Sequence, residues 1–323
     1  MQPNPAPAET TAALRRLVAS VERVIAGNTP AVEAAAICLF AQGNLLLDGV
    51  PGVGKTMLAR ALALSVGGTF RRIQATPDLL PSDVTGISVY DQGRQEFRFV
   101  PGPVFANVVL VDEINRTTPR TQSSLLEPME ERQVTVEGVT YALPAPFMLV
   151  ATKNPLEYHG TYPLPEGQLD RFAMTVHLGH PDRREAQAIV MRQMLRHPIE
   201  DVTPVLSAAE VATHQEAVRA VHVDPLVVDY AVGLADATRA HEDVALGASQ
   251  RAVLALTRCA QAYAVSRGRG FVLPDDVKAL APAVLSHRLV LKSHRRVGVD
   301  AGSEIVREIL AGAAVPLGLA ASA

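Results

Sequence analysis

The chain has 323 residues, of which 48% are hydrophobic, 4% aromatic and 20% charged, with a formal net charge of −3. That is length enough for about two domains, apolar mass enough for an aliphatic core, and no global field that would draw the chain to nucleic acid or anionic lipid. Cys38 and Cys259 are the only cysteines and both sit in apolar surroundings, which excludes a disulfide framework or thiolate zinc site and reads as two buried thiols in a reducing cytoplasm.

No apolar run reaches the ~18–20 residues of a membrane span, and the apolar tail from Leu310 is interrupted by Pro316 and Gly318. Met1 to Thr11 is rich in Pro and Ala without a basic segment, so no signal peptide is predicted. Residues 1–20 read as a flexible tail, and the cytoplasm is the expected location. Helical spacing runs from Leu14 to Ile25 and from Ala31 to Phe40. Short apolar runs follow at Leu45 to Asp48, Phe70 to Gln74, Val108 to Val111, Phe147 to Ala151 and Ala173 to Leu178. Runs apolar on both faces suit parallel strands covered by helices, and their alternation with helical stretches predicts an α/β domain over residues 21–182. Two segments break the rhythm as hairpins: Ile87 to Phe99 around Asp91-Gln92-Gly93, and Val134 to Tyr141 around Glu137-Gly138. Beyond Pro181-Asp182 the pattern is helical, at 184–195, 207–221, 224–240, 249–266 and 274–286, which predicts an all-α domain over residues 183–323.

The strongest chemical signal is Gly49-Val50-Pro51-Gly52-Val53-Gly54-Lys55-Thr56, a G-x-x-x-x-G-K-[ST] loop after a strand and before a helix beginning at Met57. The glycines let backbone N–H groups turn toward a phosphate, and the helix N-terminus adds its dipole. Lys55 would reach the β- and γ-phosphates of ATP, and the Thr56 hydroxyl would ligate Mg²⁺. Val108 to Val111, ending in Asp112-Glu113, describes a buried strand with acids at its C-terminal tip. Asp112 would hold the Mg²⁺ shell through water, and Glu113 would polarise the attacking water.

Asp112-Glu113-Ile114-Asn115-Arg116, Thr121 to Glu127, Asp78 to Gly86 and Phe99 to Asn107 together resemble the MoxR family of AAA+ ATPases. The string Tyr162-Pro163-Leu164-Pro165-Glu166-Gly167-Gln168-Leu169-Asp170-Arg171-Phe172 is the most specific match. The resemblance covers roughly residues 20–290 and implies a P-loop core with a parallel five-stranded sheet, helices on both faces and hairpin insertions, followed by a helical lid. It implies that Asn154 is sensor 1, orienting water between Glu113 and the γ-phosphate. It assigns Arg171 as an arginine finger acting in trans on a neighbouring subunit's ATP, Arg251 as sensor 2, and Val24-Ile25 as the adenine-side segment beside Val53 and Met57. Arg116 also sits in a family motif, and the resemblance implies that it faces the subunit interface.

Three positions depart from the family pattern: Lys153, Gln250 and Pro128. A helix starting near Thr118-Pro119 would be kinked or ended by Pro128. His159, His177 and His180 have no ligand spacing, so no metal beyond Mg²⁺ is expected. The resemblance implies an ATPase ring, most often a hexamer, that remodels or matures a client enzyme or inserts its metal cofactor, alongside a von Willebrand factor A domain protein. A nucleic-acid motor is the alternative, disfavoured by the net charge, by the lack of a basic stripe with interleaved aromatics, and by a 134–141 hairpin with no Lys or Arg at its tip. A magnesium-chelatase-type subunit and a nucleotide-gated scaffold with little turnover are further alternatives.

Overall fold

The structure is a computed structural model that describes residues 5–50, 52–153, 161–292 and 301–316. In chain order, α1 (Pro7–Glu22) and α2 (Thr29–Phe40) precede β1 (Leu45–Asp48), α3 (Lys55–Ser65), β2 (Phe70–Gln74) and the short α4 (Pro81–Thr85). The hairpin β3 (Gly86–Asp91) and β4 (Glu96–Pro101) leads to β5 (Val108–Asp112), α5 (Pro119–Ser123) and α6 (Leu126–Glu131). A second hairpin, β6 (Gln133–Val136) and β7 (Val139–Ala142), is followed by β8 (Met148–Lys153), α7 (Glu166–Leu169) and β9 (Met174–His177). The C-terminal region contains α8 (Arg183–Leu195), α9 (Ala208–Arg219), α10 (Pro225–Ala240), β10 (Val244–Leu246), α11 (Gln250–Ser266), α12 (Pro274–Leu285), β11 (Val290–Leu291) and α13 (Ala301–Gly312).

Five strands form one sheet in the order β2-β5-β8-β1-β9, every neighbouring pair parallel. Successive side chains of its central strands enter different cores, as a two-period strand requires. Leu45, Leu47, Val108, Leu110 and Val150 pack with α1, α2 and α3; Leu46, Val109, Val111, Leu149 and Ala151 pack with Ile114, Leu125, Met129, Val134 and Phe172. Parallel order puts the C-terminal tips of β1, β5 and β8 along one edge of the sheet, which sets the position of the chemistry below.

The N-terminal segment corrects the expectation of a flexible tail. Residues 7–22 form α1, and Ala13, Leu14, Leu17 and Val21 are fully or almost fully buried. Its apolar stripe packs against α2 and α3 and also against α9 and α11, so one continuous core joins the sheet to the C-terminal helices. Thr11 donates a hydrogen bond to the Val265 carbonyl at 2.6 Å, tying the same helix to α11 by a polar contact.

Pro128 does break its helix. Residues 119–131 split into α5 and α6 at Ser124-Leu125, the positions three and four residues before the proline, whose ring and missing N–H disrupt that turn. Asp182 and Ser207 cap α8 and α9, each accepting from the amide of a glutamate three residues on, while that glutamate's carboxylate accepts the cap amide in return. The small antiparallel pair β10·β11 and helix α13 were not read from the sequence: two or three residues show no period, and α13 lies at the start of an apolar tail. Both cysteines are free and buried, and burial pushes the Cys259 thiol up to about 12. Among the described residues no helix is long and apolar enough to cross a membrane.

Candidate active site

The loop 49–56 joins the tip of β1 to the start of α3. Gly49, Gly52 and Gly54 take φ of 151°, 85° and 97°, and a Cβ at Gly49 would fall 2.6 Å from the Leu178 carbonyl oxygen. Only glycine meets both the conformation and the close approach there. Lys55 opens α3, is buried, and donates from Nζ to the Gly49 carbonyl at 2.6 Å. Burial lowers its pKa from the ordinary value, while the charges of Asp112, Asp48 and Glu113 act in the opposite direction. Thr56 follows in the first turn. Ile25 is buried directly beside the loop, 3.5 Å from where a Cβ at Gly54 would sit, and Val24, Val53 and Met57 pack partly buried against the same core. Pro51 lies outside the described residues.

The two acids stand at the tip of β5. Asp112 is buried, and its Oδ1 accepts a 2.7 Å hydrogen bond from the Thr152 hydroxyl on β8. The same hydroxyl accepts the Glu113 amide at 2.8 Å. One fully buried threonine therefore sets both acids, holding Asp112 by its side chain and Glu113 by its backbone. Glu113 has φ of 57°, the left-handed region that a non-glycine residue adopts at a cost of order 1–3 kcal/mol. Its Oε2 lies 3.2 Å from Arg116 Nε. On the other side, Arg72 of β2 binds Asp112 Oδ2 through Nη2 at 2.5 Å and Nε at 3.1 Å. Lys153, which departs from the family pattern, is paired at 3.3 Å with Asp48, its register partner on β1. Asn154 lies outside the described residues.

The two predicted arginines meet on one carboxylate, Glu130, and not at the phosphate loop. Arg171 Nε is 3.0 Å from Glu130 Oε2, and Arg251 Nη2 is 2.6 Å from Glu130 Oε1. The Arg171 carbonyl accepts from Asn44 Nδ2 at 3.4 Å, which places Arg171 beside the start of β1. The phosphate loop leaves the end of that strand, and five residues of extended chain separate Asn44 from Gly49 by roughly 16 Å. Arg171 and Arg251 thus occupy the edge of the sheet opposite Lys55, Asp112 and Glu113.

Residues 44–174 match the family described as "ATPase family associated with various cellular activities (AAA)", and residues 236–309 match the AAA lid domain. The chain is 41% identical over 312 residues to Chaperone MoxR1 of Mycobacterium tuberculosis, covering 94% of this chain and 82% of that protein. It belongs to the MoxR family of AAA+ ATPases. It is also 46% identical over 304 residues to the Bacillus subtilis protein YeaC, covering 94% of this chain and 95% of that one. A crystal structure from Cytophaga hutchinsonii superposes with a TM-score of 0.88 at 34% identity, covering 96% of this chain and 97% of that chain.

For this MoxR-family chain the donors at the loop suit Mg²⁺: a threonine hydroxyl opening α3 and a carboxylate at the tip of β5 are hard oxygen ligands. Among the described residues no group of three or more His, Cys, Asp and Glu could hold a metal ion. Mg²⁺ characteristically takes one or two protein oxygens and fills its shell with water and phosphate, so the sparse set fits it. Thr152, Arg72 and Glu130 were not singled out from the sequence. The one available signal was a hydroxyl at the end of an otherwise apolar strand, Phe147 to Ala151, next in register to Asp112.

Proposed function

We propose that this protein hydrolyses ATP with Mg²⁺, as a ring in which each site is divided between two copies of the chain. The observation that carries the reading is the separation of Lys55, Asp112 and Glu113 from Arg171 and Arg251 across the sheet. A finger on the far edge of a subunit serves a neighbour's phosphates. In this reading the amides of residues 52–56 and the Lys55 ammonium hold the β- and γ-phosphates. Thr56 and, through water, Asp112 would hold Mg²⁺, which would supply neutralisation of the phosphate charge. Glu113 takes a proton from the attacking water as its oxygen bonds to the γ-phosphorus. The bond from that phosphorus to the β–γ bridging oxygen breaks, leaving ADP and phosphate. The neighbour's Arg171, joined by its Arg251, stabilises the charge that develops on the γ-phosphoryl oxygens.

The hydrolysis cycle would drive remodelling or maturation of a protein client. The name of the relative Chaperone MoxR1 and the net charge of −3, which disfavours nucleic acid as the client, support this part. A von Willebrand factor A domain protein is the proposed accessory partner. The exposed hydrophobic side chains of the β3–β4 hairpin, Ile87, Val89, Tyr90 and Phe97, support a protein contact there.

The test is turnover by purified protein against its Glu113→Gln variant. The variant is expected to keep its affinity for a fluorescent ATP analogue and to lose at least about a hundredfold in Mg²⁺-dependent turnover. Wild-type turnover in the variant would remove Glu113 from this role.

A further inference from the structure

Arg171 and Arg251 come from elements eighty residues apart in sequence, and their head groups carry like charge. Left alone they would separate into solvent in many rotamers. They converge because Glu130, at the end of α6, takes one on each carboxylate oxygen: Oε1 to Arg251 Nη2 at 2.6 Å and Oε2 to Arg171 Nε at 3.0 Å. Burial acts to raise the Glu130 carboxyl, but the hydrogen bonds and charges of Arg251 and Arg171 outweigh it and hold it below the ordinary carboxylate value.

The surroundings strengthen this arrangement. Arg171 Nη1 also donates to the Gly167 carbonyl, while among the described residues Nη2 has no hydrogen-bond partner. Arg251 is backed by Asp170 at 3.4 Å, and Asp170 is held in turn by Ser249 at 2.8 Å and by the buried Arg288 at 2.9 Å. Arg171, Arg251, Arg288, Glu130 and Asp170 line a recess of about 210 Å³ that also contains Arg132 and Arg258, five arginines against two carboxylates. The Arg171, Arg251 and Glu130 side chains are 22%, 41% and 41% exposed, so the cluster lies at the surface, where a second subunit could reach it.

We propose that Glu130 is a positioning residue for the reaction: its carboxylate holds Arg171 and Arg251 side by side as a pre-aligned pair that presents to the triphosphate bound by a neighbouring copy. The proposal rests on the divided-site reading above. It adds that the pair acts as one unit whose alignment depends on a carboxylate that touches no nucleotide. Two guanidinium groups already fixed relative to each other need less ordering when the phosphate arrives, and a fixed fork loses little freedom per hydrogen bond formed.

The experiment measures kcat, KM, binding of a fluorescent ATP analogue and assembly by light scattering for Glu130→Gln, Arg171→Ala, the Arg171→Ala/Arg251→Ala double variant and the triple variant that adds Glu130→Gln. Glu130→Gln keeps the shape and removes the charge of a half-exposed side chain, so the fold should be retained, as thermal unfolding will check. The expected result is a kcat at least about tenfold lower with assembly retained and with KM and analogue affinity within about twofold of wild type, because the binding loop lies at the other edge of the sheet. In the Arg171→Ala/Arg251→Ala background, Glu130→Gln is expected to change kcat by less than about twofold, since nothing remains for it to position. If Arg171→Ala is impaired but Glu130→Gln turns over like wild type, or faster, the positioning role is wrong and the divided site stands. A Glu130→Gln loss that follows failed assembly, or that persists in full without the arginines, also overturns it. If Arg171→Ala itself shows wild-type turnover at every concentration, the divided site is what fails.

Discussion

Arg72 binds the carboxylate of Asp112 through two nitrogens converging on one oxygen, Nη2 at 2.5 Å and Nε at 3.1 Å from Oδ2. That oxygen belongs to the acid proposed to hold Mg²⁺ through water, and its partner Oδ1 is already taken by Thr152. A cation's water shell and the guanidinium therefore compete for one oxygen. The Arg72 side chain is 49% exposed, so the pair is worth about 0.2–1 kcal/mol after solvent screening. Arg72→Ala is expected to lower the Mg²⁺ concentration for half-maximal turnover, and for half of the ATP-dependent rise in unfolding temperature, by about two- to fivefold. An unchanged or higher Mg²⁺ requirement would show that Arg72 does not contend for the site.

A site divided between subunits should be restored by mixing two inactive proteins. Glu113→Gln keeps an intact Arg171, and Arg171→Ala keeps an intact Glu113. In randomly mixed rings about a quarter of the interfaces join the two intact halves. Mixing is expected to raise turnover well above either protein alone, toward about a quarter of wild type. A mixture no more active than the sum of its parts would place the whole reaction within one subunit.

His287 supplies a pH dependence. Its Nε2 lies 3.0 Å from the Phe172 carbonyl, which can only accept, so that nitrogen carries the proton of the neutral ring. Nδ1 is buried and makes no hydrogen bond of good geometry among the described residues. Burial, reinforced by the charges of Arg288 and Lys153, pushes the imidazole well below its ordinary 6.5. The folded state then binds fewer protons than the unfolded chain as pH falls below 6.5. Stability is fully present above that value and is lost as pH falls toward the folded pKa, by at most about 1.4 kcal/mol per pH unit from this group. Between pH 7.5 and 5.5 (about one unit either side of the ordinary histidine pKa) the unfolding temperature of His287→Gln is expected to fall less steeply than that of wild type. Parallel slopes would assign the acid sensitivity elsewhere.

The buried face of α1 predicts a stability effect far from the nucleotide loop. Leu17 is completely buried in the core shared by the sheet and the C-terminal helices. Leu17→Ala is expected to cost about 2–5 kcal/mol in denaturant unfolding, the range for emptying a buried leucine site. A loss below about 0.5 kcal/mol, typical of surface positions, would mean that α1 is not a structural part of the domain.

Much of the nucleotide half of the site was legible because it is built from contiguous residues. A glycine loop between an apolar strand and a helix has one workable backbone path, and an apolar run ending in two acids puts them at a strand tip. The five strands followed from short runs apolar on both faces, and both hairpins from alternation around turn residues. The tail reading fails from Pro7 onward because Pro and Ala resemble a solvated tail in composition, whereas Pro7 is an acceptable first-turn residue and the helical spacing already visible from Leu14 extends back to it, with Ala13, Leu14, Leu17 and Val21 packing α1 into the core.

Sequence alone thus marked the phosphate loop, its two acids, the five strands of the main sheet and, through the family resemblance, two arginines of interest, because each is encoded within a few neighbouring residues. Only the tertiary structure decided where those arginines stand and what holds them. Arg171, Arg251 and Glu130 come from three separate segments, and so do Thr152, Arg72 and Asp112. Local spacing carries no record of such meetings. They arise when parallel strands stack in an order different from the chain's, and a carboxylate then finds its partners across the sheet.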